Sequence, residues 1–546
     1  MTPRLLALLL CLCAGARWTG ASAQTPAGQA RAFDYLIRGG LVVDGTGASG
    51  FVGDVALSAG RVARVSRMPL DTASAWVVVD ARGMVVAPGF IDSHAHVEQL
   101  DRRPLAESFL RQGVTTVIYA ADGGQPWPLD RYIARLDSLG HAPNIAFYAG
   151  HNTIRTLVMG TANRAPTPVE LERMRSMVDQ AMREGAVGLS SGLRYVPANY
   201  ATTEEVIALA QVAARHGGIY SAHMRDEGEA SVASVNEMIR IGREAGLPVQ
   251  VTHHKLMGQA QWGQSVQTLA LVDSARARGQ DVTIDQYPYD ATSTAISTIF
   301  PPWSLAGGAD SLRARLADPA TKAKIVAGIE ATIVRERGGG DLSRIQLASY
   351  GANHAWDGET FADVLKARGQ AQDLADAAAL AIEIQMHGGA QGVWHVVDEA
   401  DIRRIMTYPW TMFSSDGEIG VLDHAHPHPR NYGATARILG RYVRGQKVLP
   451  LEEAVRKLTS LPAWRFGQMD RGTLAEGQWG DVVVFDPARV RDLATYADPH
   501  RFSVGVEYVW VNGVPVLTSN SLTGARPGRV LRREFPAGAE AYRYTH

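Results

Sequence analysis

Eight short apolar runs in the middle of the chain, most of them separated by stretches with helical periodicity, constrain the fold more than any other feature. Strands that alternate with helices form parallel sheets, and eight such strands predict an α/β fold with a closed (β/α)8 barrel of the TIM type. Because the carboxyl ends of the strands face one mouth of such a barrel, side chains that follow different strands converge there. The predicted strands span residues 84–92, 114–120, 144–148, 186–189, 218–222, 249–252, 282–285 and 411–414.

The segments on either side of these runs contain short β-rich pieces and glycine turns without helical periodicity. They predict a small flanking β-sandwich built from residues 33–83 and 468–535, with the barrel over residues 84–467 between them. A chain of 546 residues, 46% of them hydrophobic, is long enough to bury cores of this size.

The segment between the seventh and eighth predicted strands, about 301–410, is much longer than an ordinary barrel connection. It contains Trp303, His387, Trp394 and His395. Two interpretations stay open, namely a region that covers the substrate and a solvated insertion with a small core of its own.

The first 23 residues differ from the rest of the chain. A basic start at Arg4, an apolar run over residues 5–13 and the small residues 21–23 are typical of a cleaved secretory signal peptide. The alternative is an uncleaved anchor, although this apolar run is too short to span a bilayer. We therefore expect a periplasmic or secreted protein. Its mature chain would have no thiol, because the two cysteines of the full chain, Cys11 and Cys13, lie within the signal peptide.

The charge of the chain points to a small-molecule partner. With 54 basic and 55 acidic residues the formal net charge is −1, which lacks the basic excess that nucleic acids or anionic membranes attract. We expect no nucleic acid and, after signal cleavage, no membrane as partners. An oligomer stays possible.

Two of the helices that lie between the strands have readable start signals. Thr167 and Thr202 are each followed three residues later by a glutamate, Glu170 and Glu205. This spacing predicts two capping boxes, in which the threonine and the glutamate each bind the backbone of the other.

Residues with metal-ligand chemistry follow several of the predicted strands. His94 and His96 lie two residues apart, so in an extended strand both rings reach the same side. His223, His253 and Asp416 follow three further strands. Each of these residues alone is typical of a structural role, but their convergence at one mouth predicts a catalytic metal site. Zn²⁺, as one or two ions, fits imidazole and carboxylate ligands best, with manganese, iron and cobalt as alternatives.

A series of motifs in fixed order resembles the amidohydrolase superfamily and, within it, the branch of the D-aminoacylases (N-acyl-D-amino-acid deacylases). The similarity runs from about residue 33 through the second β-rich segment. The motifs lie at residues 89–96, 113–117, 150–155, 185–193, 223–225, 253–255, 287–289, 415–417, 426–430, 470–472 and 480–487.

The resemblance implies roles for individual residues. His94, His96 and Asp416 would serve one metal position and His223 and His253 a second, tighter one, with Asp416 as the general base. The branch has a cysteine ligand a few residues after the 113–117 motif. Here that place reads Ala120-Ala121-Asp122-Gly123, and Asp122 is the candidate substitute. The alternative for Asp122 is a loop carboxylate that caps backbone amides.

The resemblance also implies a substrate and a reaction. The reaction would be metal-dependent hydrolysis of the amide bond of N-acyl-D-amino acids, which releases a carboxylate and a D-amino acid. The substrate would be a small molecule with a carboxylate, and the residues that would bind that carboxylate are Lys255, Tyr287, Ser293 and Arg430. Arg225 either adds a contact or pairs with Asp226 or Glu227, and His254 is expected to lie outside the ligand set.

Two other functions stay open. A cyclic amidase similar to hydantoinases and dihydropyrimidinases, or a dipeptidase, would use the same scaffold, but such relatives often carry a carboxylated lysine and residues 186–192 contain no lysine. From another class, a small-molecule binding protein without catalysis would fit the loss of the cysteine ligand.

Overall fold

The computed structural model of the protein describes residues 31–533, so the predicted signal peptide, both cysteines and residues 534–535 of the second β segment lie outside the described residues. In chain order the strands are β1 (Phe33–Val42), β2 (Phe51–Ser58), β3 (Arg61–Ser66), β4 (Ala75–Asp80), β5 (Val85–Pro88), β6 (Phe90–His96), β7 (Val114–Tyr119), β8 (Asn144–Phe147), β9 (Ala149–Gly150), β10 (Gly188–Gly192), β11 (Ile219–His223), β12 (Val249–Val251), β13 (Val282–Gln286), β14 (Thr292–Ala295), β15 (Ile345–Ser349), β16 (Gln391–Trp394), β17 (Thr411–Phe413), β18 (Gly417–Glu418), β19 (Val482–Phe485), β20 (Val506–Val511), β21 (Val514–Thr518) and β22 (Ser521–Leu522).

The α-helices of the same residues are α1 (Glu107–Leu110), α2 (Leu129–Leu139), α3 (His151–Met159), α4 (Pro168–Glu184), α5 (Thr203–Arg215), α6 (Ser231–Ala245), α7 (Ser265–Ala277), α8 (Gly308–Ala317), α9 (Pro319–Glu336), α10 (Phe361–Ala367), α11 (Leu374–Met386), α12 (Glu399–Thr407), α13 (Arg430–Arg437), α14 (Leu451–Leu458) and α15 (Ser460–Arg465). A π-helical turn, Ile438–Gly445, continues α13.

The predicted barrel is present and closed. Parallel pairs join β6 to β7 and β7 to β8, and a second parallel series runs from β9 through β10, β11, β12 and β13 to β17. One residue separates β8 from β9 and three separate β17 from β18, so each of these pairs occupies one barrel position. Since β18 pairs in parallel with β6, the eight positions form a ring.

The first predicted strand, residues 84–92, is two strands with different partners. β5 pairs with β1 and β19 of the terminal sheet, whereas β6 pairs with β7 in the barrel. Gly89 separates the two strands at a close approach, because a Cβ there would lie 2.3 Å from Thr115 Oγ1. The fourth run, predicted at 186–189, forms its strand slightly later, at Gly188–Gly192.

The segments before and after the barrel pair into one sheet. Among the described residues it has nine strands, in the order β22-β21-β20-β19-β5-β1-β2-β3, and β4 also pairs with β1. Its core joins both segments, since Ile37, Val55 and Val86 pack in one cluster with Val482 and Trp510. Chain ends far apart in sequence therefore stabilise one another.

The insertion starts earlier and ends earlier than residues 301–410. Its antiparallel sheet has the order β14-β16-β15, and β14 begins at Thr292. Helix α12 packs against α7, β13 and β17 and so belongs to the barrel. Periodicity alone does not show this boundary, because strands and helices of the insertion continue the same alternation.

One of the two predicted capping boxes forms. Thr167 and Glu170 bind each other's backbone at the start of α4. Thr202 accepts from the Glu205 backbone, but the Glu205 carboxylate instead binds His151 and Arg155, 3.0 Å from each, in a buried network. Between residues 31 and 533 no helix combines the length and apolar character needed to cross a bilayer.

Candidate metal centre

The predicted ligands lie together at the carboxyl ends of the barrel strands. His96 is the last residue of strand β6 with His94 two residues before it, and His223 is the last residue of β11. His253 follows β12 by two residues, and Asp416 lies between β17 and β18. The backbone is left-handed at both of the latter, with φ of 34° and 50°, a strained conformation that the surrounding structure has to hold.

These side chains form two groups that share one carboxylate. The first group is His94, His96, Asp122 and Asp416, and the second is Asp122, His223 and His253; in each, the possible ligand atoms lie within 4.8 Å of one another.

Asp122 faces both groups with different oxygens. Its Oδ2 is 3.6 Å from His94 Nε2 and 3.7 Å from His96 Nε2, whereas its Oδ1 is 3.4 Å from His253 Nε2. Burial alone would raise the pKa of Asp122, but the rings of His94 and His253 outweigh burial and hold that pKa below its usual value. An ionised carboxylate in this place would offer one oxygen to each ligand group.

All four imidazoles are held at Nδ1 by an oxygen. The partner distances to Nδ1 are 2.9 Å for Thr252 Oγ1 on His94, 3.1 Å for Glu98 Oε1 on His96, 3.1 Å for the Tyr195 hydroxyl on His223 and 3.1 Å for Glu227 Oε1 on His253. On His253 the Lys255 ammonium also lies 2.9 Å from Nδ1. Where an oxygen accepts from Nδ1 of a neutral ring, the Nε2 lone pair is free, which is the usual arrangement behind a metal-ligating histidine.

The network around His94 fixes its tautomer. The Thr252 hydroxyl donates to Asp285 Oδ2 at 2.8 Å, so it has to accept the hydrogen bond from His94 Nδ1. Asp285 also accepts from the His253 backbone amide at 2.9 Å. This one buried carboxylate therefore orients ligands of both groups.

Several inward atoms have no hydrogen-bond partner within the described chain, although they are buried. They are His94 Nε2, Asp122 Oδ1, His223 Nε2 and Glu227 Oε2. Buried polar atoms without partners are unfavourable, and the nitrogen and oxygen atoms of His94, Asp122 and His223, which belong to the two ligand groups, suit a divalent cation such as zinc. The donor set thus fits a metal.

Asp416 is held by a cation on the side away from the histidines. Arg430 Nη1 donates to Asp416 Oδ2 at 2.6 Å, and His96 Nε2 is 3.1 Å from Asp416 Oδ1. Burial by itself would raise the pKa of Asp416, but Arg430 and the neighbouring rings outweigh burial and hold this pKa well below its usual value.

Glu227 is a buried carboxylate beside the ligand groups. The sequence analysis does not identify it as part of the site. Its Oε1 accepts from Lys255 Nζ at 2.6 Å, and its Oε2 is 3.2 Å from His223 Nε2. Burial and the Lys255 ammonium would lower the pKa of His253, but Glu227, Asp122 and Asp416 together raise it to about 10.

A cavity of about 300 Å³ opens over the cluster. The four predicted substrate residues line it, namely Lys255, Tyr287, Ser293 and Arg430. The Tyr287 hydroxyl is buried and has no hydrogen-bond partner among the described residues. Concave sites with a few convergent polar groups are typical of small-molecule binding.

The insertion forms one wall of this cavity, but through residues other than those singled out from the sequence. Its contribution comes from residues 292–295, Arg337 and Gln391. The aromatic and histidine residues of the sequence interpretation, Trp303, His387, Trp394 and His395, do not line it.

Two further residues from the sequence analysis, Arg225 and His254, do not belong to the ligand groups or to the cavity lining. Arg225 pairs with Glu237 at 2.8 Å, so the alternative in which it pairs with Asp226 or Glu227 is wrong. His254 Nε2 is 2.8 Å from Thr268 Oγ1 and lies outside both ligand groups, as expected.

The chain is similar in sequence to known deacylases. A model of the amidohydrolase family matches residues 77–517. A D-aminoacylase of Alcaligenes xylosoxydans xylosoxydans is 38% identical over 533 residues, with 92% of this chain and 98% of the relative covered. An N-acyl-D-glutamate deacylase of the same organism is 36% identical over 533 residues, with coverage of 93% and 99%.

The chain is also similar in structure to a solved deacylase. The N-acyl-D-glutamate deacylase of Bordetella bronchiseptica, complexed with zinc and a phosphonate inhibitor that mimics the tetrahedral intermediate, has a TM-score of 0.78. It is 33% identical, and the match covers 92% of this chain and 99% of that one. The family expected from the motifs is thereby confirmed, and the protein belongs to the D-aminoacylase branch of the amidohydrolase family.

Proposed function

We propose that the protein is a metal-dependent hydrolase of N-acyl-D-amino acids that releases a carboxylate and a free D-amino acid. The observation that carries this proposal is the pair of ligand groups that share Asp122 and lie beneath a cavity at the barrel mouth. The relatives named D-aminoacylase and N-acyl-D-glutamate deacylase support the amide bond and the D configuration.

The proposed cofactor is Zn²⁺, as one or two ions. His94, His96, Asp122 and Asp416 would hold one ion, and Asp122 would share in a second with His223 and His253. Zinc in such a site supplies Lewis acidity, which polarises a carbonyl and makes water a nucleophile near neutral pH. The zinc in the Bordetella bronchiseptica structure supports this choice of metal.

Asp416 is the proposed general base and general acid. Because its pKa is held well below its usual value, the carboxylate is ionised before the reaction and accepts a proton from the attacking water. It then returns this proton to the nitrogen of the leaving amine. The Arg430 guanidinium keeps one oxygen engaged, so that the other faces His94 and His96.

Lys255, Tyr287, Ser293 and Arg430 are the proposed residues for the substrate α-carboxylate. Lys255 and Arg430 already pair with Glu227 and Asp416, at 2.6 Å in each case. Arg430 Nε and the Tyr287 hydroxyl have no hydrogen-bond partner among the described residues and can donate to a ligand. Lys255 Nζ also contacts Nδ1 and the carbonyl oxygen of His253, so Lys255 would act mainly through its charge.

The test is an assay of the zinc-loaded protein with N-acetyl-D-amino acids, their L enantiomers, hydantoins and dipeptides. Amino-acid release from the D substrates alone is expected. Equal turnover of L substrates, or preferred opening of hydantoins, would contradict the proposal. A protein that binds D substrates without hydrolysing them would instead be the binding protein considered from the sequence.

Asp416→Asn provides the control for chemistry as opposed to binding. This variant should keep zinc and lose turnover by about 10²–10⁴-fold, the usual contribution of a general base. An unchanged rate with full zinc content would remove Asp416 from the proposed role.

We also propose that the protein acts in the periplasm or outside the cell, which the basic start and apolar run of residues 1–23 support. Cell fractionation, with sequencing of the mature amino terminus, tests this. A protein found intact in the cytoplasm would contradict it.

A further inference from the structure

Arg337 is a buried arginine in the cavity wall that has no carboxylate partner in residues 31–533. It follows α9 in the insertion and is 2% exposed. The nearest polar atoms to its Nη1 are Met257 Sδ and Thr292 Oγ1, both at 3.5 Å, and its Nε has no hydrogen-bond partner in the described chain. Its guanidinium also lies 5.0 Å from the Trp394 ring centroid.

The neighbouring cations are all neutralised. Lys255 pairs with Glu227 and Arg430 pairs with Asp416, each at 2.6 Å. Glu336, next to Arg337 in sequence, is held by Arg194 at 2.6 Å. Of the lysines and arginines that line the cavity, Arg337 is therefore the one that forms no ion pair with a described residue.

A buried charge without a counterion is unfavourable, and such groups are normally paired or serve a ligand. Burial first, and then the Arg194 guanidinium, lower the pKa of Arg337 to about 10, so the side chain is still a cation at neutral pH. A guanidinium with free N–H donors that faces a cavity is suited to a carboxylate, which it can bind through two parallel hydrogen bonds.

The position of Arg337 decides which substrate carboxylate it would meet. The α-carboxylate is attached to the carbon next to the scissile nitrogen, so it has to stay near the ligand groups. Lys255 and Arg430 lie there, since Lys255 Nζ is 2.9 Å from His253 Nδ1 and Arg430 contacts Asp416 directly. The contacts of Arg337 include no member of the ligand groups but only residues of the cavity and insertion.

We infer that Arg337 binds the side-chain carboxylate of the substrate, so that the protein prefers N-acyl-D-amino acids with an acidic side chain, of the D-aspartate and D-glutamate class. This inference rests on the proposed function and deepens it. The Thr292 hydroxyl, 3.5 Å from Arg337 Nη1, is placed to add a hydrogen bond to the same carboxylate.

The experiment compares acidic substrates with their own amides. The kcat/KM of the zinc-loaded protein is measured for N-acetyl-D-glutamate, N-acetyl-D-glutamine, N-acetyl-D-aspartate, N-acetyl-D-asparagine and N-acetyl-D-methionine. At least one acid should exceed its amide by about 100-fold, the size of one charge-assisted ion pair. Neutral substrates turned over as well as both acids would overturn the inference while leaving the proposed function intact.

Arg337→Met should abolish that preference, chiefly through KM, and should leave N-acetyl-D-methionine within about threefold of the native rate. Arg337→Lys should keep part of it. Arg335→Met is the matched control, because Arg335 lies two residues earlier, in the last turn of α9, but is exposed, and its replacement should change nothing. Equal losses for acidic and neutral substrates would show that Arg337 serves the fold or the α-carboxylate, and would overturn the inference.

A binding measurement separates this inference from the chemistry. Metal-free protein titrated calorimetrically with N-acetyl-D-glutamate and N-acetyl-D-aspartate should bind at least one acid more tightly than its amide, and Arg337→Met should remove the difference. If the native protein hydrolyses no N-acyl-D-amino acid, the proposed function is wrong. The inference about Arg337 is then overturned only if the acids and their amides also bind equally well.

Discussion

Arg430 Nη1 lies 2.6 Å from Asp416 Oδ2, so the general base proposed for the site is paired with a buried cation before any substrate arrives. The sequence resemblance implies a different task for Arg430, contact with the substrate carboxylate. The guanidinium contacts both Asp416, through Nη1, and the cavity wall, because Nη2 is 3.4 Å from the Ser293 carbonyl oxygen. Changes at Arg430 should therefore affect chemistry as well as binding.

Replacing Arg430 by glutamine removes the cation that lowers the pKa of Asp416. Against burial, the Arg430 charge is the first cause that holds this pKa low, so its loss should raise the pKa of Asp416. Activity needs the ionised carboxylate, so the acidic limb of the kcat profile should move to higher pH in the variant. A profile measured between pH 4.5 and 8 that keeps the native acidic limb would contradict the pairing as the cause.

Asp122 should determine how much metal the protein retains. Asp122→Ala removes the carboxylate that both ligand groups share, so dialysed protein should lose at least one bound zinc. Asp122→Cys should recover zinc binding, because a thiolate is a softer and stronger zinc ligand than a carboxylate. Metal analysis of the three proteins checks this, and native zinc content in Asp122→Ala would exclude Asp122 as a ligand.

Glu205 should contribute to stability and its neighbour Glu204 should not. Glu205→Gln leaves Arg155, which is fully buried, without its carboxylate, and breaking a buried ion pair in this way costs about 3–5 kcal/mol. Glu204 pairs at the exposed surface with Arg240, so Glu204→Gln should leave the urea midpoint unchanged. Equal midpoints for the two variants would show that the Glu205 network is dispensable.

The metal-free protein should lose stability between pH 7 and 9. The pKa of His253 is about 10 in the folded protein and about 6.5 in an unfolded chain, so the folded state holds a proton that the unfolded state has released. This stabilisation is complete below the unfolded pKa and is lost as pH rises toward 10, by about 1.4 kcal/mol per pH unit from this residue.

Zinc should reverse this dependence, because zinc displaces the same proton and its apparent affinity rises with pH. Urea titrations at pH 7, 8 and 9, with and without zinc, measure both effects, and His253→Gln is the control that should flatten the metal-free curve. A metal-free protein that is equally stable at all three pH values would rule out a protonated His253.

Much of the ligand cluster is predictable from the sequence for a geometric reason. His94, His223, His253 and Asp416 each follow a strand of one parallel barrel, and topology alone brings the ends of these strands together. Asp122 is found by the same argument, three residues after β7. No knowledge of side-chain packing is needed.

The second layer of the site is not predictable in this way. Glu227 lies in a loop four residues after His223, and nothing in its spacing distinguishes it from a solvated carboxylate. Tyr195 and Thr252 each contact one histidine ligand through a hydrogen bond that depends on side-chain rotamers. Arg337 stands out only once the carboxylates near it are seen to be occupied by other cations.

Because Asp122 is an oxygen ligand shared by both groups, it affects how well the metal centre resists oxidation. An oxygen ligand offers nothing that peroxide or a disulfide-forming catalyst can modify, whereas a sulfur ligand at the same place would be open to sulfenic acid formation or mixed disulfides. Since residues 14–546 contain no cysteine, a metal centre built in this way would keep its ligands under oxidising conditions that disable thiolate sites.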